Sequence, residues 1–315
     1  MCIPCLYGYA AVIFRHDAFR TAIPALSKLV IFSSVVHQLT FTALSSLPFA
    51  IGQVQDAGLI FLSAMADAIA ECMLRDGADT DEIVSTTVAI LGLGTACLGL
   101  VLILMGRFKL ADIVSYLPFP VVGGYLGYIG YFCIEAGAAL CISKPMVGIA
   151  DWSQLFHFDE MVLFLPGLAC GVVLTVVSRF VKSDAALPAA MVAIPASFYL
   201  LMLFEGWNLD DVRKGGWVGE ESPPVLIKSM LHLVNFNKVR WGMVTECVGT
   251  WLGMVFVVSF SSCLDVAAIA MDMGEALDTN NELMTVGISN RKWSIILGAA
   301  ERLDTCVLLV SSPRW

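Results

Sequence analysis

The chain has 315 residues, of which 58% are hydrophobic and only 14% are charged. Soluble domains carry about 25% charged residues, so a water-soluble core could not bury this much apolar surface, and several segments must lie in lipid. The net charge of −9 also argues against a nucleic-acid partner.

Apolar segments recur along the chain at the length of about 20 residues that a helix needs to cross a bilayer. Residues 1–14 are apolar but too short to cross alone, so we expect them to be the end of a first helix. The predicted spans are, in chain order, 24–47, 83–105, 113–142, 161–181, 187–204 and 242–270. A shorter apolar run at 57–70 follows a polar break, and loops are predicted at 71–82, which is acidic, and at 205–240.

The predicted span at 113–142 has a broken start at Pro118 and Pro120 and carries one acidic side chain, Glu135, which we leave unassigned. Small residues recur along this span at Gly123, Gly124, Gly127 and Gly130. Small residues let helix backbones approach closely in a membrane, so this spacing predicts a helix packed against other helices.

The polar break at 45–56 is the first candidate site. Pro48 and Gly52 interrupt an apolar stretch, and a new helix is predicted to begin near Gln53. A helix that starts at membrane depth has unpaired N–H groups and a positive dipole end, which attract an anion. A plain loop between two spans, with Asp56 as the helix cap, explains the pattern equally well. The candidate substrate-binding residues here are Gly52, Gln53, Val54, Gln55 and Asp56.

The second candidate site lies in the predicted span at 242–270. Ser261, Ser262 and Asp265 form a polar stripe in an apolar helix, and Ser261 and Asp265 share a face because they are four residues apart. An ionisable side chain at membrane depth is a functional candidate by default. The alternative is hydrogen bonding between helices for packing, although serines alone would suffice for that.

Other ionisable groups in apolar segments have simpler explanations. His37 is interpreted as a packing residue of the first full span, and Glu246 as an interfacial residue. The ten cysteines are scattered through apolar runs and are expected to pack as small side chains. The chain has no P-loop and no H-E-x-x-H or G-x-S-x-G motif, so we expect no ATP-driven pump, no enzyme, no metal site and no cofactor.

Three segments together resemble the SulP sulfate permease family, in particular its fungal and algal branch. They are SSLPFAIGQVQDAGLIFLSAMA from Ser45, YLPFPVVGGYLGYIGYFCIEAG from Tyr116, and SSCLDVAAIAMDMG from Ser261 followed by NNELMTVGISN from Asn280. The resemblance covers roughly residues 6–290. It implies an all-α polytopic membrane protein, part of a fold of seven plus seven segments in two inverted repeats.

In that fold, two half-helices, the third and the tenth, point their N-termini at one anion site, flanked by the first and eighth helices. By position the resemblance implies that the third runs from Gly52 to about Ala70, and that the eighth, at 242–270, turns Asp265 toward the site. We therefore expect residues 1–290 to form a partial transport domain of about eight segments, with an incomplete first segment, and 291–315 to form a divergent tail. No segment after Asn290 resembles the tenth half-helix, so an incomplete copy is expected.

Three functions remain open from the residues and the resemblance. The first is a secondary transporter of sulfate or a related anion. The second is a proton-coupled transporter of a cationic or neutral solute such as a basic amino acid, because Asp56 and Asp265 repel anions unless they are protonated or paired. The third is a truncated fragment that transports nothing. The expected location is the plasma or vacuolar membrane. The expected partners are the lipid bilayer and a small inorganic or organic ion as substrate. A second copy of the chain, in a homodimer, is an open alternative.

Overall fold

A computed structural model describes residues 2–47, 51–110, 119–144, 146, 148–183, 185–219, 230, 233–273 and 278–294, and in these residues the regular structure is helical, with no strand. The α-helices are α1 (Cys2–Ile13), α2 (Ile23–Leu44), α3 (Asp56–Arg75), α4 (Thr80–Arg107), α5 (Phe119–Ile142), α6 (Phe158–Phe180), α7 (Ala186–Glu205), α8 (Leu209–Lys214), α9 (Met243–Met273) and α10 (279–294). Short 3₁₀ helices lie at Asp17–Phe19, Ile149–Phe156 and Phe236–Lys238.

Six of the described helices are long and apolar enough to cross a membrane. They are α2, α3, α4, α6, α7 and the segment Met243–Val266 of α9. The predicted all-α polytopic class is therefore confirmed. Each predicted span coincides with one of these helices or with α5, and the described ends are displaced by at most about three residues. The predicted start of the span at 113–142 lies outside the described residues.

The predicted acidic loop at 71–82 is wrong, because only residues 76–79 separate α3 from α4. Its charged residues belong to helix ends. Glu71 pairs with Arg75 one turn on, at 3.5 Å, and the carboxylate of Asp79 accepts a hydrogen bond of 2.9 Å from the Thr80 amide at the start of α4. Acidic side chains in a first turn are stabilised by the positive end of the helix dipole. The acidity of this stretch therefore marks where a helix begins.

The prediction of an irregular loop at 205–240 is also incomplete, because this stretch contains the short helix α8 and the 3₁₀ turn Phe236–Lys238. The predicted broken start of α5 falls only partly on described residues: Pro120 lies in the first described turn of α5, where proline is tolerated because its missing N–H has no intrahelical partner. Pro118 lies outside the described residues.

The glycines of α5 do not make the predicted close contacts within the described structure. A Cβ added to Gly123, Gly124, Gly127 or Gly130 would meet nothing within 4 Å. The close approach lies elsewhere, between α4 and α10. A Cβ on Gly99 would lie 2.6 Å from the Gly287 carbonyl oxygen, and one on Gly106 would lie 2.5 Å from the Asn280 carbonyl oxygen. Spacing indicates where a helix can be approached, whereas the partner is set by tertiary packing.

The described residues divide into two compact units. The larger unit comprises described parts of Cys5–Ile129 and Pro224–Trp315, and in it α3, α4 and α9 pack against one another. The smaller unit comprises described parts of Met1–Pro4 and Gly130–Pro223, where α6 packs against α7 and against Ile149–Phe156. In this smaller unit Glu135 is buried and its carboxylate accepts a hydrogen bond from the Gly148 amide, a structural contact that accounts for the one acidic residue of α5.

An ion pair links the end of α1 to the middle of α3 in the larger unit. The Arg15 guanidinium lies 2.6 Å from the Asp67 carboxylate, and the two side chains are 24% and 18% exposed. The Asp67 Oδ1 atom is buried without a hydrogen-bond partner in the part of the chain that the structure describes. The Asp67 carboxylate therefore depends on its contact with Arg15.

We expect Arg15→Met to destabilise the protein by about 2–3 kcal/mol, because it leaves the half-buried carboxylate of Asp67 without its cation. The double variant Arg15→Met/Asp67→Leu should recover most of that loss, since it removes both charges. Thermal unfolding in detergent measures both effects. The matched control is Arg75→Met, which breaks an exposed pair and should change stability by less than about 0.5 kcal/mol. A double variant as unstable as the single one would contradict this account of Asp67.

Candidate functional site

The backbone between α2 and α3 is not helical in its described residues, 45–47 and 51–55. α2 ends at Leu44, and α3 begins at Asp56 after Gln55, which has an extended backbone and is the N-cap. The prediction that a helix begins near Gln53 is therefore wrong by three residues, and Gly52, Gln53, Val54 and Gln55 precede α3. The expected end near Ala70 is also wrong, because α3 continues to Arg75.

The backbone of Gly52 is hydrogen-bonded to side chains of α2, which explains why α3 starts after Gly52 and not at it. Its amide donates a 2.8 Å hydrogen bond to the Gln38 Oε1 atom, and its carbonyl accepts a hydrogen bond from the Ser34 hydroxyl. A Cβ at this position would lie 2.3 Å from the Gln38 backbone nitrogen. Only glycine allows this approach of two backbones. Gly52 is thus a packing residue that fixes the residues on either side of it.

Gln55 joins the start of α3 to the polar stripe of α9. Its Nε2 atom donates hydrogen bonds of 2.8 Å to the Ser261 hydroxyl and 2.7 Å to the Asp265 carboxylate. Both acceptors lie on one face of α9, as their spacing predicts. The Oε1 atom of Gln55 is buried and has no hydrogen-bond partner among the described residues. One amide oxygen at this junction is therefore unsatisfied within the described structure.

A cavity of about 450 Å³ opens at this junction. It is lined by side chains of α2, α3, α4, α9 and α10, by Ile13 and Phe14 at the end of α1, and by the residues before α3. Six of the predicted site residues line it, namely Gln53, Val54, Gln55, Asp56, Ser262 and Asp265. The other two do not: Gly52 packs against α2, and Ser261 contacts the site through Gln55. The polar break and the later carboxylate, which are about 200 residues apart in sequence, therefore face one space.

The ionisable groups of this cavity are predominantly acidic. Asp56 and Asp265 both line it, and among the described residues each accepts a hydrogen bond from an uncharged group: the Tyr9 hydroxyl donates to Asp56 at 2.9 Å, and Gln55 donates to Asp265. No lysine or arginine is found among the described lining residues. The cavity thus has two carboxylates and, as its remaining titratable lining group in the described structure, His37.

Several lining residues were missed or undervalued in the sequence. His37, interpreted as a packing residue, lines the cavity, and its Nδ1 atom lies 3.3 Å from the Ser289 hydroxyl. Ser289, Asn290 and Trp293 bring α10 into the cavity wall. The family motif that ends at Asn290 was the available signal for Ser289 and Asn290, whereas Trp293 lies in the stretch predicted to be a divergent tail. Glu246 is exposed in the first turn of α9 and does not line the cavity.

A sequence model of the sulfate permease family matches residues 1–300. The chain belongs to the sulfate permease family. The resemblance drawn from its three motifs is confirmed, and membership together with six apolar helices makes the chain a multi-pass membrane protein.

This sulfate permease family member is similar to the vacuolar basic amino acid transporter VSB1 of Saccharomyces cerevisiae. The two are 26% identical over 306 residues, which are 93% of this chain and 29% of the yeast protein. The chain therefore spans less than a third of the length of that relative. No solved structure matches the chain at a significant level.

Proposed function

We propose that this chain forms the solute-binding region of a proton-coupled secondary transporter for a cationic solute, most simply a basic amino acid. The observation that carries the proposal is the acidic cavity at the break between α2 and α3. It contains Asp56 and Asp265, and no lysine or arginine is among the described residues that line it. The name of the yeast relative, a basic amino acid transporter, supports the same class of solute.

Electrostatics favours a cation over an anion in this space. Two unit charges 4 Å apart interact by ~4 kcal/mol at the dielectric typical of sites near a protein surface. An ammonium or guanidinium group would gain attraction of this order from each carboxylate, whereas sulfate, with two negative charges, would be repelled. Among the described residues, the hydrogen-bond donors to Asp56 and Asp265 are the uncharged side chains of Tyr9 and Gln55, and no cation pairs with either carboxylate there.

The rest of the cavity suits the other parts of a basic amino acid. Leu62, Leu91 and Val258 give it apolar walls against which an aliphatic stem can pack. Arginine and lysine combine these features, since each carries a cationic donor on a flexible apolar stem.

Sulfate or a related anion is the second candidate, and one observation favours it. The N-terminus of α3 opens on the cavity at Gln55 and Asp56, and a helix N-terminus attracts anions through its free N–H groups and its dipole. The Asp56 carboxylate lies in that first turn and already provides a negative charge there. The anion would therefore need the carboxylates to be protonated or paired.

Equilibrium binding to the purified 315-residue chain in nanodiscs separates these functions. We expect radiolabelled arginine to bind saturably at pH 7 and to be displaced by lysine. Citrulline, which has the same shape without the charge, should compete at least about tenfold more weakly because it lacks a charge-assisted contact. Sulfate should not compete. Saturable sulfate binding without arginine binding would overturn the proposal in favour of the anion.

The same preparation tests transport, because proteoliposomes report uptake as well as binding. We expect arginine uptake to be driven by a proton gradient across the proteoliposome membrane and to be abolished when that gradient is dissipated. In cells we propose the vacuolar membrane as the location, which a fluorescent fusion would show. Arginine binding without uptake would assign a binding role to this chain and leave transport to a longer protein.

A further inference from the structure

We infer that Glu282, which does not line the cavity, is a positioning residue that holds the cavity wall at the end of α2. The inference rests on the proposed function only where it concerns solute affinity. The tether itself is a property of the fold. It joins the first residues after α2 to a helix that follows them by more than 230 positions in sequence.

Glu282 gathers three hydrogen bonds at one buried carboxylate. The residue is 1% exposed. Its Oε2 atom accepts from the Ser45 hydroxyl at 2.7 Å, and its Oε1 atom accepts from the Ser46 amide at 2.8 Å and from the Ser46 hydroxyl at 2.6 Å. Within the described residues no lysine or arginine pairs with it. The described hydrogen bonds of its side chain therefore all go to Ser45 and Ser46, at the end of α2.

The tether reaches the cavity through one more hydrogen bond. The Ser45 hydroxyl, which donates to Glu282, accepts a 3.1 Å hydrogen bond from the Leu47 amide. Leu47 lines the cavity. The chain of contacts runs from Glu282 through Ser45 to a lining residue, so a shift of the carboxylate moves that part of the wall.

Helix α10, which carries Glu282, is closely packed against α4. Helix α10 lies so close to α4 that its Gly287 and Asn280 carbonyls are within 2.6 Å of where Cβ atoms on α4 glycines would be. Near its other end the Ser294 hydroxyl donates a 2.8 Å hydrogen bond to the Gly92 carbonyl of α4. Packed backbones at this distance have little freedom to slide. Glu282 therefore transmits the position of α10 to the end of α2.

Filling space in the core is a weaker explanation for Glu282 than positioning the residues that follow α2. A buried carboxylate carries a desolvation penalty, and an apolar side chain would fill the space without it. An apolar side chain could not accept the hydrogen bond from the Ser46 amide. This amide lies in a non-helical stretch and therefore needs a hydrogen-bond partner elsewhere in the chain. The contact is specific to the place where the backbone leaves α2.

The test compares Glu282→Gln with the double variant Ser45→Ala/Ser46→Ala and with Glu246→Gln, an exposed carboxylate in the first turn of α9 that serves as the charge-matched control. Hydrogen–deuterium exchange on the full chain in nanodiscs follows the peptide that contains 45–47. We expect its amides to exchange about tenfold faster in Glu282→Gln, with α4 and α10 unchanged. Arginine affinity should fall about fivefold, and Glu246→Gln should alter neither readout.

The Ser45→Ala/Ser46→Ala variant removes both hydroxyl donors and keeps the Ser46 amide, so Glu282→Gln should add less in this background than it does in the parent chain. Unchanged exchange at 45–47 would overturn the inference, and so would faster exchange spread across α4 and α10, which indicates general destabilisation. Faster local exchange with unaltered arginine affinity would remove the positioning role. Faster local exchange in a protein that never bound arginine would confirm the tether and reject the proposed function alone.

Discussion

Asp265→Asn is expected to weaken arginine binding by about 30-fold, which corresponds to the ~2 kcal/mol typical of a hydrogen bond to a charged group. Asparagine keeps an oxygen that can accept from Gln55, so the link between α3 and α9 survives while the negative charge is lost. Binding to the purified chain, measured with labelled arginine, reports the change. The elution profile on size exclusion checks that the variant is folded.

The control for Asp265→Asn is Glu246→Gln on the same helix, which removes one charge away from the cavity and should leave arginine affinity unchanged. The pH profile gives a second readout. The titratable residues that line the cavity in the described structure are Asp56, His37 and Asp265. Removing Asp265 should flatten the acid side of the profile, because one carboxylate that can bind the cation is lost. Full affinity and an unchanged profile in Asp265→Asn would reject a role for this carboxylate.

Gly52→Ala is expected to destabilise the protein by about 3 kcal/mol, at the upper end of what overpacking costs. The added Cβ would lie 2.3 Å from the Gln38 backbone nitrogen and 2.7 Å from the His37 carbonyl carbon, and backbone atoms inside a helix cannot swing aside. The chain before α3 must therefore move away from α2. Because Gln53 and Val54 follow at once in the cavity wall, arginine binding should fall together with thermal stability.

Gly249→Ala is the matched control for Gly52→Ala. Gly249 lies in α9, and a Cβ there would meet nothing within 4 Å. Alanine is a better helix former than glycine by about 0.5–1 kcal/mol, so this variant should be neutral or slightly more stable. Equal thermal stability and arginine affinity in Gly52→Ala and the parent chain would show that the backbone contact between Gly52 and α2 is unimportant.

The positions of the membrane helices could be predicted from the sequence because hydropathy over about 20 residues is a local property. The same holds for the shared face of Ser261 and Asp265, which follows from helix geometry alone. The acidic stretch at 71–82 misled this reasoning, because charged residues at helix ends and in loops look alike in sequence. The ion pair between Glu71 and Arg75 belongs to a helix end.

Contacts between distant segments could not be predicted in this way. The glycines of α5 have the spacing expected for close packing, yet it is α4 and α10 that pack at backbone distance. His37 lies one residue before Gln38, whose side chain bonds Gly52, but nothing in the local pattern distinguishes it from a packing histidine. Glu282 belongs to a recognised family motif, and its role as a tether depends on serines near residue 45.

By itself the sequence determined that the chain is an all-α membrane protein, that it belongs to its family, and that two short polar stretches interrupt apolar surroundings. These properties depend on composition, spacing and motif, which are carried by neighbouring residues. Only the tertiary structure decided that the stretches face one cavity with two carboxylates and no lysine or arginine among its described lining residues. The physical reason is that charge compensation and hydrogen-bond partners are set by distance in space. Gln55 and Asp265 are 210 residues apart in the chain and 2.7 Å apart in the fold.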